Sequence, residues 1–276
     1  PPFELTKAFF NPVMSLKGFL AICLISMPIN LTAASYTAST QPLMDPSQLS
    51  YSGGFRVPGG SFGESDFSYP EGKITLGAGG KSLFMVGHAH QQAIAEISIP
   101  DVVDSTNVAE FKYATVLQGF SRVLSRPTTG NSQQIDRISG MEYYDGRLIV
   151  NTYEYYDGLG DATHTTLVVD DAANLGGSSV SGYFGYDAIV RAGGWISPID
   201  SSWQDRLGGS HITGNSSGKP IITRLSVGPS AYTFNMSSDL LAAAPGATIP
   251  TTKLSSFDLD NIMGDAKQEG AVILEN

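Results

Sequence analysis

The stretch Gly140-Met141-Glu142-Tyr143-Tyr144-Asp145-Gly146-Arg147-Leu148-Ile149-Val150 reads as one complete hairpin. Runs of apolar, aromatic and β-branched residues flank Asp145-Gly146, a dipeptide whose backbone accepts positive φ and so closes a tight turn. Downstream, 165–169 (TTLVV) supplies the next strand. Upstream, Ile74–Leu76, a Gly-rich turn, 83–86 (LFMV) and 94–99 (IAEISI) repeat the same order of strand, hairpin, strand, loop, strand. In IAEISI the side chains alternate, with Ile94, Glu96 and Ser98 on one side and Ala95, Ile97 and Ile99 on the other. A third, less regular copy centres on 221–225 (IITRL) and Ala231–Phe234 (AYTF). From residue 50 onward no stripe of 3.6-residue period lasts three turns, and 240–244 (LLAAA) makes at most one helical turn before Pro245-Gly246. The expected class is all-β.

Composition narrows the functions open to such a chain. Of 276 residues 31 are Gly and only 15% are charged, so polarity comes from Ser, Thr, Asn and Gly, which excludes coiled coils, helical repeats and charged tails. Sixteen basic against 26 acidic residues leave a net charge of −10. A nucleic-acid groove or an anionic-membrane patch would need a local basic cluster to overcome that field, and the sequence offers none.

The N-terminal part reads as a targeting segment. Lys17 precedes the apolar run 18–27 (GFLAICLISM), and small residues follow at Ala33, Ala34, Ser35 and Ala38. This is the pattern of a secretory signal peptide over 14–38, and the run is shorter than the roughly 20 residues that span a bilayer. The expected location is secreted, periplasmic or cell-surface, with no membrane span after cleavage. Residues 1–13 precede Met14 and read as upstream sequence, 39–54 as an extended leader with Pro42 and Pro46, and 55–276 as the folded domain. Cys23, the sole cysteine, falls inside the signal, so the exported chain has no thiol for a disulfide, a zinc site or a nucleophile. Cleavage also removes Glu4, Lys7 and Lys17, leaving the exported part more acidic than the whole.

The unit at 140–150, glycine, an apolar position, three residues, Asp-Gly and then an apolar strand, resembles the core of a β-propeller blade. The resemblance extends over 55–234 and implies radially packed four-stranded sheets with loops on two faces. Three such units are fewer than the four to eight blades of a closed ring. With no Met at the start and a polar end at Glu275-Asn276, the expectation is the N-terminal part of a larger propeller, and the alternative is a β-sandwich.

Two motifs with a catalytic look fail on context. In 75–82 (TLGAGGKS) Thr75 stands where a phosphate loop needs its first Gly, and a strand follows instead of a helix, so it reads as a turn. In 214–218 (GNSSG) Ser216 occupies a nucleophile position, but Lys219-Pro220 and a strand-like run follow where a helix is required.

The remaining candidates are polar groups at strand ends. His88 and His90, two apart after LFMV, share a face if extended and are candidate metal ligands in need of a third. Tyr153 and Glu154 stand at the equivalent end of the second unit, so His88, His90, Tyr153 and Glu154 are expected to border one cleft, where aromatic rings stack on sugars and carboxylates bond hydroxyls. Asp157 and Asp161, beside glycines, are candidate oxygen ligands of a structural calcium ion, whereas Asp258, Asp260 and Glu269 fail as an EF-hand because Ile262 and Met263 fill its fifth and sixth positions. Trp195 and Trp203, the only tryptophans, lie in a Gly- and Pro-flanked segment read as an inter-blade loop, followed by His211. The expected function is a binding module for an extracellular glycan or other surface ligand, using His88, His90, Tyr153, Glu154, Trp195, Trp203 and His211. The alternatives are a glycoside hydrolase drawing an acid and its partner from Glu142, Glu154 and Asp187, and a structural or adhesive surface protein.

Overall fold

A computed structural model describes residues 45–216, 228–258, 260, 261 and 263. The segments read as upstream sequence and signal peptide, and the 221–225 run, lie outside the described residues. The chain divides into two compact units, residues 1–50 and 51–276. The described part of the first is a single 3-10 turn, Pro46–Gln48. The Asp45 side chain accepts from the Ser47 N–H at 2.8 Å, and the Gln48 side chain accepts from the Asp45 N–H at 2.9 Å.

Among the described residues strands hold 37% and helices 12%, in three sheets of which none is closed, so the fold is all-β. The first sheet is an antiparallel meander of β1 (Ile74–Leu76), β2 (Ser82–Val86), β3 (Ala93–Ser98) and β4 (Val116–Arg122). The second runs β5 (Arg137–Tyr144), β6 (Arg147–Tyr153), β7 (His164–Val169) and β8 (Val180–Tyr186). The β5–β6 turn is Asp145-Gly146 with φ of 47° and 78°, the conformation that dipeptide favours. The third sheet starts with β9 (Trp195–Pro198), passes through helix α1 (Ser201–Leu207), and continues with β10 (His211–Gly214) and β11 (Ala231–Phe234). The short β12 (Thr248–Ile249) returns to lie parallel to β8, and β13 (Thr252–Ser255) then adds to β11.

Two sequence expectations need correction. The segment 195–207 is a strand and a helix, not a loop: Asp200 caps α1 by accepting from the Ser202 N–H at 2.9 Å, and Gly208 ends it at φ 76°. The helical turn forms at Met236–Leu240, ahead of the alanines, burying Met236 and Leu240.

The middle sheet is buried on both faces. Leu148, Val150, Leu167 and Val169 face the first sheet's Phe84, Val86 and Ile94, while Ile149, Val168 and Phe184 face the third sheet's Ile196 and Phe234. That double burial is why β6 and β7 read as nearly continuous apolar runs. The outer face of the first sheet carries Ala93, Ala95, Ile97 and Phe120, and Phe55, Phe62 and Phe67 of the preceding segment cover it.

The sheets meet at their first strands. β5 runs within 8 Å of β1 on one side and of β9 on the other, Cα to Cα, closer than the roughly 10 Å between sheets packed face to face. Glycine permits it: a Cβ at Gly140 would stand 2.6 Å from the Gly194 carbonyl oxygen, and one at Gly194 would stand 2.2 Å from that of Gly214.

Candidate binding cleft at the shared strand ends

Where β1, β5 and β9 begin, a cleft of about 250 Å³ opens between the three sheets. Glu71 and Lys73 reach it from the residues before β1, Ser139 from β5, Tyr153 from the end of β6, and Arg191 and Trp195 from the entry to β9. Asn215 and Ser216 close it from beyond β10.

Hydroxyls fix the segment that carries Arg191. Ser230 Oγ donates to the Arg191 carbonyl, Thr213 Oγ1 to that of Ala192 at 2.6 Å and Ser139 Oγ to that of Gly193 at 2.6 Å. Thr213 is itself bound by Asn151 Nδ2 at 3.0 Å, and Asn151 Oδ1 accepts from Thr166 Oγ1 at 2.7 Å, a fully buried polar chain joining the second and third sheets. On the opposite wall Gln92 donates to Glu71 at 3.2 Å and accepts from the Ile138 N–H at 2.8 Å, tying the β2–β3 turn to the start of β5.

Arg191 is the group least expected in such a place. Its side chain is 3% exposed and Nη2 donates to Asp157 Oδ2 at 2.6 Å, a carboxylate that is fully buried. Among the described residues Nε and Nη1 have no partner, and neither does the buried Tyr153 hydroxyl. Burial lowers the Arg191 proton affinity and Asp157 opposes the change. Tyr153 is pushed up to about 12, chiefly by burial and then by the Glu71 charge, so its hydroxyl stays a donor at neutral pH. Lys73 Nζ lies 2.5 Å from Glu71 Oε2. Trp195, 37% exposed, lines the cleft as well.

Of the residues proposed from sequence, the cleft brings together Tyr153 and Trp195. Glu154 stands next to it, with Asp157 and Asp161, their carboxylate oxygens within 4.8 Å of one another. Burial, then the charges of Asp157, Asp161 and Asp136, raise the Glu154 proton affinity. The three carboxylates match the oxygen donors calcium takes. Asp157 is already engaged, by Arg191 through one oxygen and by the Asp161 N–H at 3.1 Å through the other.

The other candidates lie elsewhere. His88 and His90 sit in the tight turn between β2 and β3, where the His90 N–H donates to His88 Nδ1 at 3.2 Å, so the extended geometry expected to align them is absent. Among the described residues no third His, Cys, Asp or Glu joins them in a ligand-sized group. His211 and Trp203 belong to the opposite end of the third sheet, because the cleft lies where β9 starts and β10 ends. His211 is 3% exposed, edge-on to Tyr144 at 5.3 Å and packed against Phe234, and burial pulls it down to about 4, leaving a neutral ring shut inside a core instead of a ligand contact. Glu142, at the same far end of β5, is pushed up to about 7 by burial. Asp187 is exposed, and neither it nor Glu142 joins the Glu154 group. Ser216 follows β10 after Asn215, and Gly218 of that motif lies outside the described residues.

Sequence reasoning passed over Glu71, Lys73, Gln92 and Arg191. Arg191 did leave a signal, an arginine set in the apolar and glycine run Ile189-Val190-Arg191-Ala192-Gly193-Gly194. Among the described residues no helix is long and apolar enough to cross a membrane. No protein-family model, curated protein or solved structure matches this chain.

Proposed function

We propose that the chain is an exported binding module that takes one sugar unit of an extracellular glycan in the cleft at the shared strand ends. The observation carrying this reading is the set of buried donors without a partner among the described residues, Arg191 Nε and Nη1 and the Tyr153 hydroxyl, on side chains that line one cleft with Trp195. Each unpaired buried donor costs about 1–3 kcal/mol, so such a site favours a guest, water or ligand, that brings acceptors. A sugar brings both acceptor oxygens and an apolar ring face, and the latter suits an exposed indole. The cleft, about 250 Å³, lies near the low end of ligand pockets, about 300 Å³, which fits one ring better than an extended chain.

The architecture behind this reading is propeller-like. Three consecutive meanders, first strands that converge and equivalent strand ends that share one rim are what radial blades would give. A two-sheet sandwich has one sheet fewer than this molecule.

The two tryptophans make the test compact. In an indole N–H spectrum of the exported chain, assigned with W203F, a mixture of common monosaccharides shifts the Trp195 signal and leaves Trp203 in place. Mass spectrometry of the same sample finds an N-terminus near residue 39 if the signal is cleaved. A Trp195 signal that no sugar moves sinks the binding proposal, and an intact residue 14 sinks export.

A further inference from the structure

Resting on the reading of the cleft as a sugar site, we infer that its ligand is an uncharged sugar and that the site rejects uronic acids. A buried arginine ordinarily invites an anion. Here the charges decide otherwise, because each cation that lines the cleft among the described residues already holds a carboxylate. Arg191 Nη2 is 2.6 Å from Asp157 Oδ2, with side chains 3% and 0% exposed, and Lys73 Nζ is 2.5 Å from Glu71 Oε2, with side chains 15% and 21% exposed. The walls are therefore made of neutral pairs. A ligand carboxylate bound to Arg191 would turn a balanced buried pair into a group of net charge −1, with its desolvation unreturned.

The surroundings deepen that cost. Glu154 and Asp161 stand within 4.8 Å of Asp157, and the whole chain carries a net charge of −10. Burial first, and then the charges of Asp157, Asp161 and Asp136, make Glu154 hold its proton more tightly, and an incoming carboxylate would meet the same three charges. The groups left without a partner among the described residues are donors, Arg191 Nε and Nη1 and the Tyr153 hydroxyl. Hydroxyl, ring or acetamido oxygens satisfy these without bringing charge, and the exposed Trp195 ring receives the C–H face.

Paired titrations at pH 7 and low ionic strength test the charge rule, with the exported chain against glucose and glucuronic acid, galactose and galacturonic acid, and N-acetylglucosamine. At least one neutral sugar binds, and its acid counterpart binds about tenfold or more weakly, the loss expected for one charge-assisted mismatch. Y153F, which deletes only an unpartnered hydroxyl, keeps the parent's melting temperature and weakens the neutral sugar by about tenfold. W203A, at the far end of the sheet, leaves binding unchanged. Equal or tighter binding of the uronic acids overturns this inference while leaving the sugar site standing. Sugar binding indifferent to Y153F overturns the assignment to this cleft, and silence toward all five sugars overturns the sugar reading itself.

Discussion

Glu142 and His211 place opposite demands on pH. Burial raises Glu142 from 4.5 to about 7 and lowers His211 from 6.5 to about 4, so the folded state prefers both groups neutral. For Glu142 the folded value is the higher one, so its contribution is complete below pH 4.5 and lost as pH rises through 7. For His211 the folded value is the lower one, so its contribution is complete above pH 6.5 and lost as pH falls through 4. Between those limits the two slopes oppose each other, and neither shows plainly in the parent. Single variants separate them. E142Q matches the parent near pH 4 and gains stability steadily toward pH 7, with a plateau above. The deficit of H211Q is largest above pH 6.5 and shrinks toward pH 4. Melting temperature measured against pH for the three proteins checks both, and a difference curve of the wrong slope for either variant removes that group from the account.

At the scale of elements, the decisive feature is the convergence of β1, β5 and β9. The strands approach so closely that a single methyl group is too much at Gly140, where it would meet the Gly194 carbonyl oxygen at 2.6 Å. G140A is expected to cost about 1–3 kcal/mol, the range for an overfilled interior, and to weaken ligand binding because the cleft opens at that junction. G59A, where a Cβ meets nothing within 4 Å, is the control and leaves both unchanged. Chemical denaturation of the pair reads the difference, and a neutral G140A would mean that the first strands stand farther apart. The same glycines explain which strands were legible beforehand. β1, β2, β3, β6, β7 and β11 declared themselves by β-branched and aromatic runs, with the Asp145-Gly146 turn between β5 and β6. β4 (VLQGFSR), β8 (VSGYFGY) and β10 (HITG) carry glycine inside the strand, where sequence rules see a breaker and the structure uses Gly182 and Gly214 for close backbone approach. The histidine pair meets by a different route from the extended one: the chain turns at His88 to reach β3, and the two rings lie with centroids 5.2 Å apart across that turn.

At the scale of the whole molecule, three sheets need four coverings, two between sheets and one on each outer face. The sequence announced the inner two through the apolar β6 and β7. It was silent about the outer face of the first sheet, because the residues covering it form no regular element. Phe55, Phe62 and Phe67 are spread through a Gly- and Ser-rich stretch that makes only isolated bridges, such as Gly54 with Val103 and Gly63 with Phe120. Likewise, Arg191 and Asp157 are 34 residues apart, and no local pattern records that they meet. Phe67 is the keystone of the cover, 8% exposed, with its ring 4.7 Å from Phe120 and 5.8 Å from Phe62. Truncating it removes a large buried ring and leaves a void over Ala93, Ala95 and Ile97, so F67A is expected to cost about 3–5 kcal/mol. The damage should stay local, because the cores on either side of the second sheet contain none of these residues. Hydrogen exchange then separates a cover from a keystone of the whole fold. In F67A, amides of β3 and β4 exchange faster by the full loss of stability, while β6 and β7 keep most of their protection. Uniform acceleration across all three sheets would instead make the segment before β1 an integral part of one cooperative core.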